Sequence, residues 1–120
     1  MKSMKLLSIV ALLAFTALSC SKDEDTTPPM ITITSPAEGA ILQKGHTYPV
    51  AGTVTDDTEL KEINAGGVII TTFDSATKHV LANINLPIDA NAAPGNYSST
   101  FTATDKAGNK QTKVVNYIVQ

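Results

Sequence analysis

The hydrophobic and polar positions of this chain follow two patterns that meet near residue 20. From Leu6 to Leu18 the residues are apolar, with only Ser8 and Thr16 as interruptions. From Met30 onward, short runs rich in Val, Ile, Thr and aromatics are separated by Gly, Pro, Asn and Asp clusters. A period of two sends one face of a strand to a core and the other to solvent. Ile31 and Ile33, alternating with threonines, predict a first strand. Ser35–Gly39 predicts a turn, because Pro36 presets φ and Gly39 accepts positive φ. Ala40–Gln43 predicts an edge segment, followed by a turn at Lys44-Gly45. Tyr48, Val50, Gly52 and Val54 form the next inward series, with Thr47, Ala51, Thr53 and Thr55 opposite. After a polar loop at Asp56–Glu59, Leu60 is placed to plug one end of the core, and Lys61–Ala65 carries Ile63 inward. Gly66-Gly67 turns the chain into Val68–Phe73, and Asp74–Lys78 is a loop. Val80, Ala82, Ile84 and Leu86 predict another alternating strand, and Tyr97, Ser99, Phe101 and Ala103 a further one. Asp105–Asn109 predicts a hairpin turn. The last strand, about Gln111–Val119, allows two registers: Val114 with Ile118 inward, or Val115 with Tyr117 and Val119. No helical periodicity of useful length is present. Short strands at regular spacing predict an all-β sandwich or barrel.

The N-terminal pattern has a different meaning. Lys2 and Lys5 precede the apolar run and small Ser19 follows it, the layout of a secretory signal over residues 1–19. The run is too short for a spanning helix, which needs roughly 20 apolar residues. Ala17-Leu18-Ser19-Cys20 resembles the lipobox of bacterial lipoproteins, with Ala17 where that family prefers Leu. The resemblance implies cleavage before Cys20, diacylation of its thiol and acylation of the new amine. One acyl chain holds a protein marginally, at about 0.8 kcal/mol per buried CH₂, so a lasting anchor needs two or three. Lys22, Asp23, Glu24 and Asp25 resemble the acidic export tag that follows the cysteine in surface lipoproteins of some gram-negative bacteria. The competing role is a solvated linker, as for most charge runs. Residues 20–29, ending in Pro28-Pro29, bury little apolar area and predict a flexible tether. Asp25-Thr26-Thr27 also resembles a short bacterial O-glycosylation motif.

Removal of the signal leaves about 100 residues, one small domain over 30–120. Counting from Cys20, seven lysines face eleven acids, and there is no arginine. That balance argues against nucleic acid as a partner, which requires Lys/Arg clusters. Cys20 is the only cysteine, so no disulfide braces the domain.

Three stretches resemble the bacterial immunoglobulin-like domains: Pro28 to Gly39, Val50 to Leu60, and Gly95-Asn96-Tyr97 with Phe101 to Asn109. The most specific is the closing Thr102-Ala103-Thr104-Asp105-Lys106-Ala107-Gly108-Asn109. The resemblance implies an Ig-like antiparallel β-sandwich of about seven strands with Greek-key connections. It also places Tyr97 as the family's tyrosine corner, a buried ring with a bonded hydroxyl. No tryptophan or cysteine pair of the antibody type is present. The family is known for adhesion, for spacing modules and for binding proteins or glycans, and fold alone does not choose among these.

Candidate chemistry is sparse. His46 and His79 lack partners at metal-ligand spacing. No serine sits in a Gly-x-Ser-x-Gly context, so catalysis is not expected. Asp56, Asp57, Asp105 and Asn109, with Glu59 nearby, are the candidate ligands for Ca²⁺, which takes six to eight oxygens. The competing role is Asx turns, and no fixed-spacing calcium motif is present. The family topology puts these residues and Met30 at one pole. Ser35–Gly39, Gly66-Gly67 and Asp89–Gly95 then lie at the other, facing outside partners. The aromatics outside the signal are Tyr48, Phe73, Tyr97, Phe101 and Tyr117, mostly on inward series, which leaves few for a glycan platform.

The expected protein is a lipid-anchored outer-membrane lipoprotein, exposed at the cell surface. Its one non-catalytic domain binds a protein or glycan in adhesion, or serves as an accessory subunit of an envelope complex. The alternatives are a small inhibitor of a secreted enzyme presenting Asp89–Gly95, and a periplasm-facing structural lipoprotein.

Overall fold

The computed structural model describes residues 24–120. The signal over 1–19, Cys20, Lys22 and Asp23 lie outside the described residues. Eight strands follow in order: β1 (Met30–Ser35), β2 (Ala40–Leu42), β3 (Thr47–Thr55), β4 (Leu60–Ala65), β5 (Val68–Ile70), β6 (Lys78–Pro87), β7 (Gly95–Asp105) and β8 (Lys110–Val119). They form a three-stranded sheet, β1-β3-β6, and a five-stranded sheet, β2-β8-β7-β4-β5. Only β4–β5 and β7–β8 are joined within one sheet. Every other connection crosses between sheets, as an Ig-like β-sandwich requires.

The strand count exceeds the expected seven because β2 and β5 are short edge strands of three residues each. β2 pairs parallel with the end of β8, Ala40 opposite Tyr117 and Leu42 opposite Val119. The other pairings are antiparallel.

The two sheets close on Ile31, Val50, Val54, Leu60, Ile63, Ala65, Leu81, Ile84, Phe101, Ala103 and Val115. Leu42, Ile88, Tyr117 and Val119 form a second cluster at one end. Each fully buried Leu, Ile, Val or Phe contributes roughly 1.5–3 kcal/mol. Leu60 is the expected plug, fully buried at the start of β4.

Two registers needed the third dimension. In β8, Val115, Tyr117 and Val119 face the core while Val114 and Ile118 face solvent. In β6 the expected alternation fails. Leu81 and Ile84 are buried, while Val80 and Ala82 point outward. A bulge lies between the Val50–Ile84 and Gly52–Leu81 pairs. Asn83 adopts φ 60° there, a conformation asparagine accepts more readily than most residues. One extra residue reverses which side chains face inward.

Candidate functional site

The strand registers divide the loops between two poles. Met30 pairs with Thr55, Leu60 with Asp105, and Thr104 with Lys110. The tether, the Asp56–Glu59 loop and the Asp105–Asn109 turn therefore share one end. Leu42, Thr47, Pro87, Gly95 and Val119 reach the other. The Asp89–Gly95 loop lies where the sequence predicts, whereas Ser35 pairs with Ala51 in mid-β3 and the Gly66 N–H donates to the Thr100 carbonyl in mid-β7, so those two turns sit part-way along the sheets.

At the tether pole each carboxylate is held by local backbone. The Asp56 Oδ2 accepts the N–H groups of Thr58 and Glu59 at 3.0 and 2.8 Å, the Asx-turn role the residue type favours. Asp105 organises the β7–β8 turn. Its Oδ1 accepts the Asn109 N–H at 2.8 Å and its Oδ2 accepts Asn109 Nδ2 at 2.9 Å. Gly108, at φ 95°, lets this turn close.

A third carboxylate arrives from the tether. Asn109 Nδ2 also donates to the Asp25 carbonyl at 2.9 Å, and Asp25 Oδ1 accepts the Thr27 N–H at 3.0 Å. Asp25, Asp56 and Asp105 each bring a carboxylate oxygen within 4.8 Å of the other two. By sequence, Asp25 belongs to the acidic tag and to the Asp25-Thr26-Thr27 motif, with no link to the loops of the domain. No spacing rule could link it to residues so distant along the chain.

The electrostatics follow from this crowding. At Asp25 the Thr27 N–H favours the charged form. Burial, the Asp105 carboxyl and the Asp57 charge outweigh it, so its pKa is raised. At Asp105 burial opposes ionisation. The Asn109 side-chain and backbone donors, Asp25 and the Ala107 N–H outweigh it, so its pKa is lowered.

Two expected ligands have other roles. Asp57 is not in the trio; its exposed carboxylate accepts the Thr58 hydroxyl at 3.3 Å. Asn109 donates its amide NH₂ to Asp105 Oδ2 and to the Asp25 carbonyl, which ties turn to tether. Glu59 pairs with Lys106 at 3.6 Å on the surface.

The histidines do not meet. His79 opposes Val54 near the tether pole, and Ile88 N–H donates to the His46 carbonyl at the far pole. His79 Nδ1 lies 3.5 Å from Asp74 Oδ2, edge-on to Phe73.

The far pole is internally braced. Asp89 Oδ1 accepts the Asn91 N–H at 2.7 Å, and the Asp89 carbonyl accepts the Ala92 N–H at 3.1 Å. The Tyr97 hydroxyl donates to the Ala93 carbonyl at 2.7 Å, the expected corner bond. The ring itself is not buried. It is 37% exposed and stacks on Tyr117 at a centroid distance of 6.1 Å. Tyr97→Phe is expected to cost about 1 kcal/mol, the net worth of a typical hydrogen bond; urea unfolding of the two proteins measures it. Glu38 accepts the Asn116 N–H and Nδ2 at 3.1 and 2.9 Å, clamping the Ser35–Gly39 turn to β8. These bonds hold its carboxyl below the usual range. An open groove beside these loops is lined by Asn64, Gly66, Leu86, Ser99, Thr100 and Tyr117.

Among the described residues no helix is long and apolar enough to cross a membrane. No family model matches the chain, and no curated protein does. Solved structures do match. The fibronectin(III)-like modules of Clostridium thermocellum CbhA align with 22% identity and a TM-score of 0.46, over 75% of this chain and 94% of theirs. The SrpA adhesin of Streptococcus sanguinis aligns with 21% identity and a TM-score of 0.54, over 83% of this chain and 61% of the adhesin. A point variant of that adhesin gives 22% and 0.51, over 80% and 56%. The chain thus spans under two thirds of the adhesin chains, and the domain is an Ig-like β-sandwich of the kind found within them.

Proposed function

We propose that this protein is a lipid-anchored surface lipoprotein whose one Ig-like domain acts in binding or adhesion, or as an accessory subunit of an envelope complex, without catalysing a reaction. The observation that carries this reading is the polarity of the domain. The tether joins at the pole of Met30, while the Asp89–Gly95 loop lies at the opposite pole. A chain held by lipid at Cys20 presents that far pole outward. Its loops are braced by their own hydrogen bonds, which lowers the ordering cost of binding. The adjoining groove, with Asn64, Ser99 and Thr100, offers hydroxyl and amide groups suited to a glycan or a peptide backbone. An adhesin is among the proteins of like fold, which suits an adhesive role.

Proteinase shaving of intact cells tests the placement, with an epitope after Gln120. A variant with Asp23→Ala and Glu24→Ala leaves Asp25 in place. Digestion of the wild type with protection of the variant is expected. Protection of both sinks the surface reading and leaves a periplasm-facing lipoprotein. Pull-down from envelope extract and a glycan array test the binding role. A silent result in both, with wild-type protein of confirmed fold, removes it.

A further inference from the structure

Three carboxylates from three parts of the chain converge at the tether pole, with no basic partner among the described residues. Asp25 belongs to the tether, Asp56 to the loop after β3, and Asp105 to the end of β7. Among the described residues Lys106 pairs with Glu59 and His79 lies beside Asp74, and neither reaches the trio. Three like charges within 4.8 Å repel strongly where water is excluded.

Two oxygens of the trio are left over. Asp56 is 8% exposed, and its Oδ2 is taken by the Thr58 and Glu59 N–H groups. Its Oδ1 is buried and has no hydrogen-bond partner. Asp25 repeats the arrangement: Oδ1 takes the Thr27 N–H, and buried Oδ2 has no partner. Buried polar atoms are nearly always satisfied. Two such acceptors in one cluster of acids make a setting that a cation satisfies.

We propose that Asp25, Asp56 and Asp105 bind a divalent cation, Ca²⁺, which fastens the tether to the domain. The donor set is oxygen only, with no histidine or cysteine in it, which selects a hard ion. Ca²⁺ suits an irregular set drawn from flexible segments, whereas Mg²⁺ demands near-ideal octahedral geometry. Each ligand is already pre-set by a backbone N–H on its other oxygen or its turn. Asn109 brings the tether backbone to the same place through the Asp25 carbonyl. The ion adds a second tie between the last residues before Met30 and the domain, beside the Asn109 bond to the Asp25 carbonyl. It also supplies a cross-link to a small domain that has no disulfide. This inference is independent of the lipid anchor.

The test uses the full chain purified in detergent and stripped with a chelator. Titration with CaCl₂ is followed by calorimetry and by thermal unfolding. One saturable site is expected, with Tm raised on the order of 10 °C near 100 times Kd. Asp25→Asn and Asp56→Asn keep the N–H caps and remove the charge; each is expected to weaken Ca²⁺ binding at least tenfold, while Asp57→Asn keeps it. Cleavage after Glu24 by a Glu-specific proteinase reads this tie directly. Ca²⁺ should slow it in the wild type and leave it unchanged in Asp56→Asn. No saturable heat with an unmoved Tm overturns the proposal. So does Ca²⁺ binding that survives both Asn substitutions, because that places the ion elsewhere.

Discussion

Gly52→Ala is expected to cost the domain about 3 kcal/mol, a fall in Tm on the order of 15 °C. Gly52 lies in the middle of β3 opposite Ile33 of β1. A Cβ built there overlaps the Thr32 carbonyl oxygen and meets Ile33 Cα at 3.0 Å and Ile33 Cδ1 at 3.1 Å. Backbone atoms cannot swing aside as a side-chain tip can, so β1 would have to leave β3. Ile31 sits on β1 and belongs to the main core, so the shift would carry a core residue with it. The glycine also stands beside the bulge that resets β6, where a strand interior has little freedom to adjust. Thermal unfolding followed by far-ultraviolet circular dichroism measures the change. A variant within about 2 °C of the wild type, a few tenths of a kcal/mol, would show that β1 does not need this close approach.

Asp105→Ala should be nearly as damaging, at about 3 kcal/mol in cation-free buffer, because it leaves the part-buried Asn109 N–H and amide without their acceptor and empties a fully buried position. Asp105 is fully buried, and it holds both of those donors. Relief of repulsion with Asp25 and Asp56 offsets part of the loss. Asp105→Asn keeps an acceptor for the Asn109 N–H and removes the charge, so its cost is expected near 1 kcal/mol. The order Ala worse than Asn shows that the carboxylate acts chiefly as an acceptor; equal costs would assign its role to charge. The pH dependence has a definite sign. A depressed carboxyl pKa contributes stability above the unfolded value and loses it as pH falls through the folded one. Asp105 contributes in that sense. Asp25, whose pKa is raised, contributes in the opposite sense, losing its share as pH climbs through its folded value. Asp105→Ala should therefore show a flatter acid limb in denaturant titrations across the carboxylate range.

Much of this architecture was readable in one dimension. Alternation at Ile31–Ile33 and Val50–Val54 placed β1 and β3, because a half-buried strand leaves a period-two record. Gly66-Gly67 and Asp105–Asn109 marked their turns by residue chemistry. Topology put the Asp56–Glu59 and Asp105–Asn109 loops at the tether pole and Asp89–Gly95 at the other, while the registers left Ser35–Gly39 and Gly66-Gly67 part-way between. The proposed location rests on the first 25 residues, where an apolar run, a small residue and Cys20 carry their meaning locally.

What the sequence determined by itself was local: strand existence, turns and the all-β class. These depend on neighbours within a few residues. The tertiary structure alone decided three further things. The bulge at Asn83 reversed Val80 and Leu81, since facing depends on pairing with β3. β8 took the Val115–Tyr117–Val119 register because both of its faces are apolar and only packing could choose. And Asp25 joined Asp56 and Asp105, because residues remote in sequence meet only after the sheets have closed.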